Sequence, residues 1–131
     1  MLIDLNADLT PIRFTVGPIT QEKLSQFNRA VRADYSVGTA PTFATTLRKG
    51  EFEFLERLRV NLMGLLHTDQ EYQFVAPICE GDLLEVETKL SSTRQKRGMV
   101  FVSLESEVKV GVQVRVRSVS SFVLRETEKA K

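Results

Sequence analysis

The 131 residues are 42% hydrophobic and 27% charged, which suits one domain with a continuous core and leaves too little chain for two. Eighteen Lys and Arg against seventeen Asp and Glu give a formal charge of +1, which argues against the strongly basic face of a general nucleic-acid binder. A single cysteine, Cys79, forms no intrachain disulfide, and one histidine beside it is too small a set for a typical zinc centre.

The first residues, Met1 to Asp8, lack the basic and then apolar pattern of a secretory signal. The greasiest window, Leu62-Met63-Gly64-Leu65-Leu66, stops at His67, far short of the roughly 20 residues that span a bilayer. The expectation is a cytoplasmic protein with no membrane segment. An N-terminal extension covers residues 1–11, the folded domain residues 12–125, and a charged tail residues 126–131.

Ile12 to Val16 reads as a short strand closed by Gly17-Pro18. Thr20 stands at an N-cap position, and Leu24, Phe27 and Val31 form the apolar stripe of a surface helix that ends near Ala33. Asp34 to Ala40 is a loop. Pro41 suits the first position of a helix, and the uncharged run Thr42 to Leu47 marks that helix as buried. From Glu51 to about Leu62 the residues Phe54, Leu55, Leu58 and Leu62 share one side, with a Glu53 to Arg57 pair on the other. Whether Gly50 divides this region into two helices stays open.

From Gln70 the hydrophobic period changes from about 3.6 to 2, predicting strands over residues 70–76, 83–92, 98–110 and 112–125. Lys96-Arg97-Gly98 makes a hairpin, and a change of phase between Val116 and Val119 predicts a bulge near Ser118 to Ser121. The result is an α+β arrangement, a curved antiparallel sheet wrapped around a central apolar helix, which is the hot-dog architecture. Its open edges predict a dimer.

Four stretches then carry a resemblance. They are Ala40-Pro41-Thr42-Phe43, Leu65 to Tyr72 with His67 inside it, Pro77 with Glu80-Gly81-Asp82, and Lys96-Arg97-Gly98 before a Val-rich strand. In order, they resemble the N-terminal, MaoC-like half of hot-dog (R)-3-hydroxyacyl-thioester dehydratases and hydratases. The resemblance implies an acyl chain carried by coenzyme A or acyl carrier protein, no further cofactor, and a homodimer or a heterodimer with a catalytic hot-dog subunit. It also implies a catalytic Asp followed five residues on by His. Here Asp34 is followed at that distance by Thr39, and Ser36-Val37 stands where Asn-Pro is usual. The dyad is therefore not matched, as in halves whose partner supplies it.

Removing water from a 3-hydroxyacyl thioester takes a base for the α-proton, an acid for the hydroxyl, and N–H groups aimed at the thioester oxygen. The start of the buried helix offers such donors, so Pro41, Thr42, Phe43 and Leu47 are the expected substrate-binding residues. Asp34, His67 and Asp69 are the catalytic candidates, with Glu71 beside them. His67 also reads as a half-buried residue capping a helix or sitting at a dimer seam. An acyl thioesterase using Asp34, Asp69 or Glu71, or an acyl-thioester-binding protein without chemistry, are the competing functions. Arg94, Lys96 and Arg97 are either a solvated turn or a contact for coenzyme A phosphates or an acidic carrier.

Overall fold

The computed structural model describes residues 3, 4, 6–20, 22 and 47–125. Five strands, β1 (Ile12–Val16), β2 (Leu65–Phe74), β3 (Leu84–Lys96), β4 (Met99–Val110) and β5 (Gln113–Arg125), form one antiparallel sheet in the order β1-β3-β4-β5-β2. A helix, α1 (Lys49–Arg57), packs on its inner face, and a short 3-10 turn, Leu62–Gly64, leads into β2. This is the α+β hot-dog arrangement that the change of period predicted. The surface helix expected after Thr20, and Asp34, Pro41, Thr42 and Phe43, lie outside the described residues.

Alternation decides the two faces. On β4 the even residues Val100, Val102, Leu104 and Val108 are buried while Phe101, Ser103 and Glu105 are not. On β5 the even residues Val116, Ser120, Phe122 and Leu124 are buried, so no bulge falls at Ser118 to Ser121. The register changes instead at Arg115: Val108 faces Val116, while Lys109 faces Val114. Val119 points outward in phase, which a hydrophobic-only reading mistook for a slip. Two further irregularities lie between His67 and Asp69 on β2 and between Leu90 and Ser92 on β3. The hairpin at Arg97-Gly98 has positive φ at both residues, 52° and 75°, the two-residue turn whose twist matches its strands.

The helix buries Phe54 and Leu55 completely, with Leu58 just beyond it. It ends at Arg57, not near Leu62. Arg59 takes the left-handed conformation at φ 56°, its N–H reaching the Glu56 carbonyl at 3.0 Å and that of Val60 the Leu55 carbonyl at 3.1 Å. This is a Schellman stop with Arg where Gly is usual, so no glycine announced it. Lys49 pairs with Glu53 at 3.8 Å. Arg57 turns to the N-terminal segment, donating to the Thr10 carbonyl at 2.8 Å. Asp4 N–H bonds the Leu58 carbonyl at 2.8 Å and Ile3 is buried, so residues before β1 belong to the packed core.

The described helix starts at Lys49 after the non-helical Arg48, so Gly50 lies inside it and does not divide it. It is the second residue of α1 and lies against β3, where a Cβ would stand 2.6 Å from Thr88 Oγ1 and 3.3 Å from Phe14 Cε1. The helix start therefore touches the sheet more closely than any side chain would allow.

Candidate functional site

Two apolar clusters fill the inner face. Phe54, Leu55, Leu58, Val102, Leu104 and Phe122 belong to the one at the β3–β4 hairpin end, and Ile19, Leu47, Ile78, Val86, Val108 and Val116 to the other. Between them the ladder turns polar. Thr88 on β3 faces Ser106 on β4, which faces Ser118 on β5, which faces Tyr72 on β2. In the next row Ser120 faces Gln70.

Part of this band is satisfied internally. The Thr88 and Ser106 hydroxyls share a buried hydrogen bond of 2.7 Å, and the Ser120 hydroxyl donates to Gln70 Oε1 at 2.7 Å. The Gln70 Nε2 and Tyr72 hydroxyl are sealed from solvent with no hydrogen-bond partner among the described residues, a cost of about 1–3 kcal/mol for each such group left unpaired. Burial raises the Tyr72 pKa, Arg48 opposing the shift and Glu51 adding to it. Those two charges stand above the band: Glu51 is 1% exposed and receives two hydrogen bonds of 3.2 Å from the Arg48 guanidinium. No sequence period marks Glu51, because an acidic residue in a first helical turn ordinarily faces water and suits the helix dipole.

The residues singled out from sequence are not brought together among the described residues. Leu47 is buried in the second cluster beside Ile78. His67 does not cap a helix: it is an exposed residue of β2, stacked on Phe122 with ring centroids 5.0 Å apart. The strand begins at Leu65, earlier than predicted, because Leu65 pairs with Leu124 and carries the ladder through the apolar run. The irregularity after His67 puts Asp69 opposite Ser121 and Glu71 opposite Val119, both exposed on the outer face. Arg94, Lys96 and Arg97 sit at the β3–β4 hairpin.

The Pro77 to Asp82 motif is structural. Asp82 Oδ2 accepts the Cys79 N–H at 2.7 Å and pairs with Arg115 Nη1 at 3.1 Å. Gly81, at φ 86°, gives its N–H to the Ile19 carbonyl at 2.7 Å, an exchange that Ile19 N–H completes with Asp82 O at 2.8 Å. Cys79 sits inside this turn, and among the described residues no basic side chain is bonded to it. Among the described residues no cluster of three His, Cys, Asp or Glu could hold a metal, and no helix is long and apolar enough to cross a membrane.

The model of the FAS1-like dehydratase domain region matches residues 30–117, two thirds of the chain. The chain belongs to this family. It is 30% identical over 116 residues to the UPF0336 protein Rv0504c of Mycobacterium tuberculosis, the match covering 75% of this chain and 68% of that protein. The fold of HtdX from the same organism superimposes with a TM-score of 0.72 at 21% identity over 87% of this chain, which spans 51% of HtdX. The HadBC complex, a 3R-hydroxyacyl-ACP dehydratase of M. tuberculosis, superimposes with a TM-score of 0.70 at 19% identity, covering 91% of this chain and 99% of the matched one. These neighbours share the MaoC-like hot-dog fold, and the dehydratase family is the one that the four sequence stretches resembled.

For a dehydratase-family chain, the described site has hydrogen-bonding groups inside the sheet and lacks an acid–base pair. The one histidine makes no hydrogen bond or ion pair with a described residue.

Proposed function

We propose that this chain is the acyl-binding or stabilising member of an (R)-3-hydroxyacyl-thioester dehydratase or hydratase, working beside a second hot-dog chain that carries the Asp/His dyad. The observation that carries the reading is the position of His67: an exposed edge-strand ring stacked on Phe122, with no carboxylate bonded to it among the described residues. A base for the α-proton needs such a partner or a shifted environment. The substrate is a thioester of coenzyme A or acyl carrier protein, no separate cofactor is needed, and the reaction is cytoplasmic. Its carbonyl takes the backbone N–H groups of Thr42 and Phe43, which precede α1 in the chain, and its acyl tail runs past Phe43 and Leu47.

The partner pairs along β2. Among the described residues that strand is an edge of the sheet, ten residues long, and exposed apolar residues stand at both ends, Met63 and Leu66 at its start and Phe74 and Val75 at its finish. Open, apolar-flanked edges are what a second sheet covers. HadBC and ChsH1-ChsH2 are complexes of related fold, which favours two different chains over one.

The test is hydration of crotonyl-CoA by the purified chain, alone and after co-expression with a hot-dog chain carrying Asp-x-Asn-Pro-x-x-His. Activity only in the pair is expected, with acyl-CoA binding weakened by Phe43→Trp. Turnover by the chain alone overturns the reading, and hydrolysis of acyl-CoA by the chain alone replaces it with a thioesterase using Asp34, Asp69 or Glu71.

A further inference from the structure

Two hydrogen-bond donors inside the sheet are left over by the fold. Gln70 and Tyr72 stand two residues apart on the inner face of β2, about 7 Å along the strand. The Ser120 hydroxyl donates to Gln70 Oε1 at 2.7 Å, which leaves the Nε2 end of the amide over, and neither it nor the Tyr72 hydroxyl has a hydrogen-bond partner among the described residues. The third sealed atom of this kind, Arg115 Nε, differs: its guanidinium is already held by Asp82 at 3.1 Å and by the Pro77 carbonyl.

The place is one that the acyl tail reaches. Leu47 and Tyr72 pack on the same apolar cluster, with Ile78 and Val116, so a chain running past Leu47 meets the Tyr72 ring and then the Gln70 amide beside it. A saturated tail pairs with neither donor, and by keeping water away it leaves both of them unsatisfied. The other half of the inner face shows what a plain hydrocarbon wall looks like, with Val100, Val102, Leu104 and Leu124 at the inward positions.

Charge narrows the class of ligand. Arg48 gives two hydrogen bonds of 3.2 Å to Glu51, which is 1% exposed, so the cation above the band is already engaged and an anion placed there would face a buried carboxylate. Gln70 Nε2 has only hydrogens to give, and the phenol gives one as well. An uncharged oxygen accepts from both. We propose that the acyl chain bound by this protein carries a neutral oxygen beyond the thioester, a keto or hydroxyl group, which accepts hydrogen bonds from Gln70 Nε2 and the Tyr72 hydroxyl. The inference rests on the acyl-binding role proposed above and makes these two side chains its specificity-determining residues.

The probes are decanoyl-CoA, its keto and hydroxy derivatives substituted at each carbon beyond the fourth, and its ω-carboxylate, titrated calorimetrically against the full chain, alone and in the co-expressed pair. One keto or hydroxy position is expected to bind about tenfold tighter than decanoyl-CoA. Tyr72→Phe should cut that preference about threefold or more, and so should Gln70→Leu/Ser120→Ala, which removes the amide together with the hydroxyl that holds it. The readout is the ratio of the two affinities, and thermal melting shows that each variant is folded. Binding of decanoyl-CoA with no gain from oxygen at any position overturns this inference and leaves the acyl-binding role standing. A gain that both variants keep, or tightest binding of the ω-carboxylate, also overturns it. Failure of every acyl-CoA to bind, alone and in the pair, removes the acyl-binding role itself and this inference with it.

Discussion

The inner face of this sheet is built in two ways. Toward the hairpin, Phe54, Leu55 and Leu58 meet Val100, Val102, Leu104, Phe122 and Leu124, with the His67 ring stacked on Phe122. Under the first turn of the helix, ladder positions that valine would fill are occupied by Thr88, Ser106, Ser118, Ser120, Gln70 and Tyr72, capped by the buried Glu51 and its Arg48. Apolar packing explains the buried centre of the first region. It does not explain the second, where unpartnered groups lower stability, and such groups are retained where they serve something other than folding.

The largest effect separates the regions by size of loss. Phe54→Ala empties a fully buried position and is expected to cost about 3–5 kcal/mol in denaturant unfolding. The slope of the transition should stay unchanged, since the rest of the cluster keeps its burial. A loss under about 1 kcal/mol would mean that the helix is not the centre of the core.

Next comes the charge over the polar band. Arg48→Met leaves Glu51 buried without its counter-charge and is expected to cost about 3 kcal/mol. Adding Glu51→Gln to Arg48→Met should recover much of that loss, because no buried charge remains. The double variant behaving as the sum of the singles would show that the two side chains act separately.

Gly50→Ala tests how closely helix and band approach. Alanine is the better helix former by about 1 kcal/mol, yet its Cβ would fall 2.6 Å from Thr88 Oγ1. The overpacking is expected to win, with a net loss of about 1–3 kcal/mol. Thr88→Ala in the same chain removes the obstructing hydroxyl and should restore part of it. A stabilised Gly50→Ala would sink the contact.

How much of this could be read beforehand follows the same division. The apolar region was legible: the spacing of Phe54, Leu55 and Leu58 and the alternation on β4 each have a period, and the fold followed from them. Hydropathy has no sign for polar residues that face inward, so nothing singled out the buried Thr88, Ser106 and Ser120, and Val119 read as a change of phase. His67 was found as the only histidine, but its place depended on a bulge that no residue type announces. The helix stop at Arg59 was invisible for the same reason, an Arg standing where a glycine would have spoken.

The smallest effect is the most specific to the band. Tyr72 is held neutral by burial, so its folded pKa lies above the unfolded value, which is about 10. A raised pKa of this kind contributes stability that is whole below the unfolded pKa and is lost as pH climbs through the folded one. Stability of the wild-type chain should therefore decline above about pH 10 more steeply than that of Tyr72→Phe. At neutral pH the same substitution deletes a sealed hydroxyl with no partner among the described residues, so it should leave stability unchanged or raise it by up to about 1 kcal/mol. Unfolding curves at neutral and alkaline pH, read against phenolate absorbance, check both signs. A loss at neutral pH would mean that the hydroxyl is bonded after all, and the polar band would then be a structural network complete in itself, with nothing left over for a ligand.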